Sequence, residues 1–299
     1  MKPIVVVGSI NSDLVVTTKH LPLKGETITG RTFDTYQGGK GANQAVAAAR
    51  LGAKVAMIGK VGSDSFGSES IRQLEGHGVD CSHVGIEYGP SGIAVITVAE
   101  GGQNTIVVVP GANGAVSSEF IATKRTVIRE AGLVLAQLEI PLSAVLTLAE
   151  ICREEGVPLM LDPAPAQDLP AGLMALCEWF TPNETEAEFY MGGAAVSSDG
   201  MVAELRGLGA RNVVLKLGER GALIDVLDGD TYSIDPVAVQ AKDTTAAGDT
   251  FNGALAAGLS EDMGIAKAGA FAARAAALSV TKPGAQASMP TRAEVEAIL

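Results

Sequence analysis

Ile4-Val5-Val6-Val7-Gly8-Ser9-Ile10-Asn11-Ser12-Asp13 is the stretch that decides the fold. Its apolar, β-branched run stops at Gly8-Ser9, the pattern of a strand buried on both faces. Strands of that kind belong to parallel sheets covered by helices. The polar residues that follow, Asn11, Ser12 and Asp13, then fall at the carboxyl end of the strand, where ligands bind in open α/β sheets.

Outward from this strand the chain settles into strand and helix in turn. Val55-Ala56-Met57-Ile58 is followed by a helical pattern near Ser65 to Glu75, and Leu133-Val134-Leu135-Ala136 by one from about Ser143 to Glu155. Pro158 to Leu161 leads to Asp162-Pro163-Ala164-Pro165, and Asn212 to Leu217 leads to Gly218-Glu219-Arg220-Gly221. The alternation predicts an α/β fold with a mainly parallel central sheet and right-handed crossovers. Polar residues recur at the strand ends: Asn11 and Asp13, Gln137 and Glu139, Asp162, Asn183 to Glu186, Lys216. Any one of them reads as a cap or turn residue; their recurrence points to a site.

Two stretches break the rhythm. Leu14 to Gln37 and Gly92 to Val109 have the character of paired antiparallel strands around turn signals, the second flanking Glu100-Gly101-Gly102-Gln103-Asn104. Together they predict one small sheet beside the main domain. A sheet that small is marginal alone, so it is expected to cover a ligand site or a partner subunit.

Composition narrows the function. With 299 residues, 47% of them hydrophobic, the chain is long enough for a large core. A formal net charge of −12 argues against nucleic acid or an anionic membrane surface as the main partner. Cys81, Cys152 and Cys177 form no C-x-x-C pair, which speaks against a disulfide framework or a structural zinc site. The apolar run at the N-terminus is too short for a signal peptide and no run of about 18 apolar residues occurs, so a cytoplasmic location is expected.

Two further stretches carry chemistry. Gln37-Gly38-Gly39-Lys40-Gly41-Ala42-Asn43-Gln44 runs into an Ala-rich helix ending at Gly52. Its glycines allow close ligand approach, with Lys40 and Asn43 able to point at that ligand; it reads equally as a tight turn that starts a helix. It is not a Walker A loop, because Asp34 stands where the first Gly belongs and Gly41 where Ser or Thr would hold magnesium. Near the other end, Asp243-Thr244-Thr245-Ala246-Ala247-Gly248-Asp249-Thr250-Phe251-Asn252-Gly253 is a polar turn entering a buried helix. Unpartnered amides from Ala246 to Asp249 form an anion site at a helix N-terminus, and the small residues Ala246, Ala247 and Gly248 let a polyphosphate approach. Asp249 then places a carboxylate beside the phosphate. A lone Asp here would be a helix cap, but the small residues and a second carboxylate at Asp243 favour chemistry. Asn183 and Glu186 read first as an N-cap and its capping box, and otherwise as acidic or polar groups ordering magnesium through water.

These motifs, in this order, resemble those of the ribokinase (PfkB) family of carbohydrate kinases from Val5 to about Pro290. The matching segments are Gly8 to Asp13, Gly38 to Ala45, Gln137-Leu138-Glu139, Asp162 to Ala166, Thr181 to Glu186 and Asp243 to Gly253. The resemblance implies one catalytic domain over 1–299, a three-layer α/β/α fold with a mainly parallel sheet, and a β-sheet lid from inserts at about 12–38 and 91–109. It implies Asp249 as the base, with Ala246, Ala247 and Gly248 forming the anion hole. Asn11, Asp13, Gly39, Lys40, Asn43 and Glu139 would bind the sugar; Asn183, Lys216, Gly218, Glu219, Gly221 and Gly248 would face ATP. Asn183 and Glu186 would lie near magnesium, and Asp243, Thr245, Ser279, Lys282, Gly284 and Ser288 would hold potassium, Lys282 through its backbone only. The expected partners are ATP, a small sugar and a second subunit paired through the lid.

Departures from the family pattern are Ala273, where some members have His in the adenine pocket, Asp162 for a common Asn, and Lys216 for Thr; they are expected to affect nucleotide fit. The expected activity is phosphorylation of the 5-hydroxyl of D-ribose. Alternatives are a kinase for 2-deoxyribose, another sugar or a nucleoside, and a non-catalytic sugar- or nucleotide-binding protein. A dinucleotide oxidoreductase is disfavoured because no G-x-G-x-x-G follows a strand.

Overall fold

In chain order, β1 (Ile4–Val7) leads to β2 (Asn11–Thr18), β3 (Thr32–Gly38), the helix Lys40–Arg50, β4 (Val55–Gly62) and the helix Ser65–Gly76. Short strands β5 (Val79–Asp80) and β6 (Val84–Glu87) follow, then β7 (Gly92–Ala99) and β8 (Asn104–Val109). After β9 (Leu133–Ala136) come the helix Leu142–Glu155, β10 (Leu159–Leu161) and β11 (Trp179–Phe180). The helix Ser198–Gly207 precedes β12 (Asn212–Lys216), β13 (Ala222–Asp225) and β14 (Thr231–Ile234), and the helices Ala247–Ser260 and Ile265–Ser279 follow before the short helix Arg292–Glu296. This computed structural model describes residues 2–193 and 196–298.

The main sheet has the order β14-β13-β12-β11-β10-β9-β1-β4-β5, with β6 also pairing β4. β1 sits inside it, parallel to β4 through Ile4↔Val55 and to β9 through Ile4↔Leu133. Pairing is parallel from β12 to β5, while β13 and β14 add an antiparallel edge. All four residues of β1 are buried, as its unbroken apolar run requires of a strand covered on both faces. Ile4 and Val6 pack with Met57, Leu255 and Phe271 under the helices Lys40–Arg50, Ala247–Ser260 and Ile265–Ser279. Val5 and Val7 face the opposite layer, with Val145 and Leu148 of Leu142–Glu155 and Leu205 of Ser198–Gly207. Alternation along one strand thus feeds two cores, giving three layers.

One close contact fixes the site. At Gly253 a β-carbon would lie 2.6 Å from Ala47 Cβ and 2.7 Å from the Gln44 carbonyl. The missing side chain lets the helix Ala247–Ser260 lie directly against Lys40–Arg50, bringing Asp249 to Asn43 and Gln44.

The two inserts form one four-stranded sheet of order β3-β2-β7-β8, as expected. Each hairpin is antiparallel, and the two are joined by parallel pairing of β2 with β7 from Asn11↔Gly92 to Thr18↔Ala99. Alternation within each pair gives no sign of that parallel seam. β8 is exposed along its whole length. Among the described residues, no helix is long and apolar enough to cross a membrane.

Candidate active site

Asp249 lies in the first turn of the helix Ala247–Ser260 and is buried. Ala246, just before it, adopts φ 59 and ψ 18, a left-handed conformation costing a side-chain-bearing residue roughly 1–2 kcal/mol. The turn that results leaves the Gly248 and Asp249 amides, and that of Ala246, without acceptors among the described residues. The sequence also placed Ala247 in this group. Its N–H instead donates to the Thr244 carbonyl at 3.2 Å, closing the turn.

Both oxygens of Asp249 are held from the facing helix. Asn43 Nδ2 donates to Oδ2 at 3.0 Å and Gln44 Nε2 to Oδ1 at 3.1 Å. The same Gln44 nitrogen donates to Asp162 Oδ2 at 2.9 Å, and Lys216 Nζ donates to Asp162 Oδ1 at 2.8 Å. Gln137 Nε2 fixes the Gln44 amide through its oxygen at 2.7 Å, while Gln286 Nε2 donates to Asn43 Oδ1 at 3.2 Å. Burial pushes the Asp249 carboxyl above its ordinary value; the Lys40 ammonium pulls it down, Asp162 pushes it up, and the Asn43 and Gln44 hydrogen bonds pull it down.

The second carboxylate of this network is therefore Asp162, not Asp243. Asp243 turns into its own loop, accepting from Thr245 N at 2.9 Å, Thr245 Oγ1 at 2.6 Å and Gly284 N at 2.8 Å. Neighbours in sequence here serve different ends of the site.

The candidate sugar residues gather beside Asp249. Glu139 Oε2 accepts from Ser9 Oγ at 2.6 Å and from Lys40 N at 3.1 Å. Asn11 Oδ1 accepts from Asn113 Nδ2 at 2.7 Å, and Asn113 is itself tied to the Ile10 backbone. Gly39 takes φ 87, a conformation open to glycine, and packs against Ser9 and Asn11 backbone. Asp13 is raised to about 6, by burial first and then by the charges of Glu139 and Asp249. Burial alone would lower the Lys40 ammonium, yet Asp249, Asp162, Glu139 and Glu186 together raise it.

The other predicted residues lie around this centre. Asn183 pairs with Lys216 in an isolated parallel bridge, and Gly218, Glu219 and Gly221 form the turn after β12, with Gly218 at φ 59 and Gly221 at φ 85. Asn183 and Glu186 close the capping box: Asn183 Oδ1 accepts from Glu186 N at 2.8 Å, and Glu186 Oε2 from Asn183 N at 2.8 Å. Among the described residues no group of three His, Cys, Asp or Glu side chains could hold a metal. The loop of Asp243 and Thr245 is laid against residues 279–284 through Lys242 N to the Val280 carbonyl at 2.7 Å and the Asp243–Gly284 bond. Lys282 sends its ammonium out to Glu294 at 2.8 Å, leaving only its backbone at the loop. The hydroxyls of Ser279 and Ser288 bond local carbonyls, Ala276 and Ala285, at 2.8 Å. Ala273 is buried in the core beneath Ile265–Ser279.

Gln44 and Asn113 join the site with no role in it expected from sequence, while Gln137 and Asp162, expected there only as strand-end polar residues, gain specific partners. Gln44, Asp162 and Gln137 stood inside or at the end of quoted motifs, a usable signal. Asn113, in the 3₁₀ turn Gly111–Ala115, carried none.

A family model described as pfkB family carbohydrate kinase matches residues 1–292. A ribokinase of Haemophilus influenzae is 42% identical, over 98% of this chain and 97% of that protein. A ribokinase of Bacillus subtilis is 41% identical, over 100% of both. Among solved structures, Arabidopsis thaliana ribokinase complexed with ribose and ATP superposes with a TM-score of 0.94 at 36% identity, covering 99% of this chain and 98% of that one.

Proposed function

This chain belongs to the pfkB family of carbohydrate kinases, and we propose from that premise that it transfers the γ-phosphoryl group of ATP to the 5-hydroxyl of D-ribose. The observation that carries the reading is the buried Asp249 carboxylate, held by Asn43 and Gln44 at the mouth of a helix whose Gly248 and Asp249 amides are open. Relatives named ribokinase at about 40% identity over nearly their full length support the choice of sugar.

In this reading Asn11, Asp13, Gly39, Lys40, Asn43 and Glu139 bind the sugar hydroxyls, mixing donors and acceptors as a polyol requires. Asn183, Lys216, Gly218, Glu219, Gly221 and Gly248 face ATP. The amides of Ala246, Gly248 and Asp249 cradle the terminal phosphate, with Ala247 shaping their turn. The 5-oxygen attacks phosphorus as the bond to the ADP oxygen breaks, and the hydroxyl proton passes to Asp249. A loose transition state asks little of the base, so holding the alcohol in line matters most.

Magnesium would arrive on the nucleotide and offset phosphate charge; Asn183 and Glu186, being engaged with each other, would meet it through water. Potassium would be held by oxygens of Asp243, Thr245, Ser279, Lys282, Gly284 and Ser288, an all-oxygen set suited to a hard cation, adding positive charge beside the amides. The small sheet would be the lid over the sugar and, through its exposed apolar residues Tyr36, Ile106 and Val108 on one face, the contact of a homodimer. Three buried free thiols suit a cytoplasmic setting.

Purified protein, assayed with ATP on a panel of ribose, 2-deoxyribose, other pentoses, hexoses and nucleosides with and without potassium, tests this. The expected result is the highest kcat/KM for ribose, increased by potassium. No ribose turnover would defeat the assignment.

A further inference from the structure

We propose that Lys216 is a catalytic cation, clamped by Asp162 beside Gly248 so that it meets the phosphoryl group in transit. The inference deepens the reading of this site as one of phosphoryl transfer and rests on it.

Lys216 ends β12, and its side chain is 11% exposed; that of Asp162, just beyond β10, is 3% exposed. A pair this buried is a poor device for stability alone, because desolvating two charges offsets most of their attraction. Its geometry has another use. An ammonium has three donors, and among the described residues the Lys216 side chain bonds only Asp162. A β-carbon on Gly248 would have one heavy atom within 4 Å, Lys216 Nζ at 3.6 Å. The ammonium thus stands over the backbone whose amides are open, with a bare glycine between them.

Asp162 is clamped from its other side as well. Its Oδ2 accepts from Gln44 Nε2, whose amide is fixed by Gln137 and also reaches Asp249. Lys216, Asp162, Gln44 and Asp249 therefore form one frame with the cation at one end and the base at the other. As the P–O bond to ADP breaks, charge spreads over the three non-bridging oxygens of the phosphoryl group. A cation preplaced in a water-poor site stabilises that charge without reorganising. Lys216 makes the contact in this account; Asp162 is a positioning residue that acts through it.

The test is the double variant Lys216→Met/Asp162→Asn. Removing one member of a buried pair strands the other charge, whereas removing both is often neutral for stability, so the double variant separates catalysis from folding. The expected outcome is a melting temperature close to the parent's, a sugar KM within about threefold of it, and kcat lowered by at least about tenfold. Affinity for a non-hydrolysable ATP analogue relative to ADP should also fall by about fivefold or more. Lys216→Gln, which keeps one donor for Asp162, is the second variant, with the same kinetic and binding losses expected. Parent-like kcat and a parent-like analogue-to-ADP ratio in the folded variants would overturn the proposal, leaving Lys216 as the counter-ion of Asp162. The affinity ratio needs no turnover, so it tests Lys216 whichever acceptor the parent enzyme uses; failure of the parent on ribose would sink only the choice of sugar.

Discussion

Gln44 Nε2 lies 3.1 Å from Asp249 Oδ1 although 205 positions separate them in the chain. The bond favours the ionised carboxyl, the form that accepts a proton, against the burial that raises its pKa. Gln44→Ala should raise that pKa further. Since activity rises with pH as the base ionises, the acid limb of the kcat/KM profile should move to higher pH, with activity at neutral pH lowered about tenfold. Asp249→Asn should lower kcat by about 10²–10⁴ while sugar binding, measured calorimetrically, persists. An unmoved acid limb in Gln44→Ala would show that the bond does not tune the base.

Asp13 gives a second handle on pH. Its folded pKa, about 6, exceeds the ordinary 3.8. A carboxyl raised on folding contributes stability that is fully present below the unfolded value and is lost as pH rises through the folded one. Asp13→Asn should therefore melt higher than the parent at pH 8, by at most about 3 kcal/mol, with the difference shrinking towards pH 4. The same variant should raise the sugar KM and abolish its dependence on pH near 6. Equal melting curves at pH 8 would contradict the burial argument.

Gly253→Ala should be costly for a surface-sized change. The added carbon meets Ala47 Cβ at 2.6 Å and the Gln44 carbonyl at 2.7 Å, so the two helices must separate. Overpacking of this kind costs about 1–3 kcal/mol, and it shifts Asp249 from its two amide donors, so kcat should fall along with the melting temperature. A stable variant with parent-like kcat would mean that the interface yields elsewhere.

The face of the small sheet that carries Asp13 also carries Ala94, Ile96, Ile106, Val108 and Tyr36, because these residues lie opposite or two apart along β2, β3, β7 and β8. A second subunit on that face would close the sugar site at the same time. Ile106→Glu/Val108→Glu should give a monomer by light scattering and a raised sugar KM. A dimer that survives this pair of charges would place the contact elsewhere.

The sequence made β1 legible because its apolar run has no polar face, and it made the strand–helix rhythm legible for the same reason. It also located Asp249 at a helix mouth, since small residues before an apolar helix have few other uses. What it concealed were partnerships set by the sheet's crossovers. Asp162 reads as a strand-end carboxylate whether or not Lys216, 54 positions on, and Gln44, 118 positions back, converge on it. Asp243 looked like a companion to Asp249 because the two are close in sequence, but a turn closed by Thr245 and Gly284 separates their roles. The departures from the family pattern at 162 and 216 read separately as matters of nucleotide fit; in the fold they are one ion pair.

The most direct test of the phosphoryl-transfer site is a crystal structure with ribose, ADP and aluminium fluoride, which mimics the group in flight. The account predicts the fluoride group within hydrogen-bond distance of the Gly248 amide, with the sugar 5-oxygen at the same distance from the Asp249 carboxylate. A nucleotide whose terminal phosphate side points away from Gly248, or a 5-oxygen beyond the reach of Asp249, would contradict it.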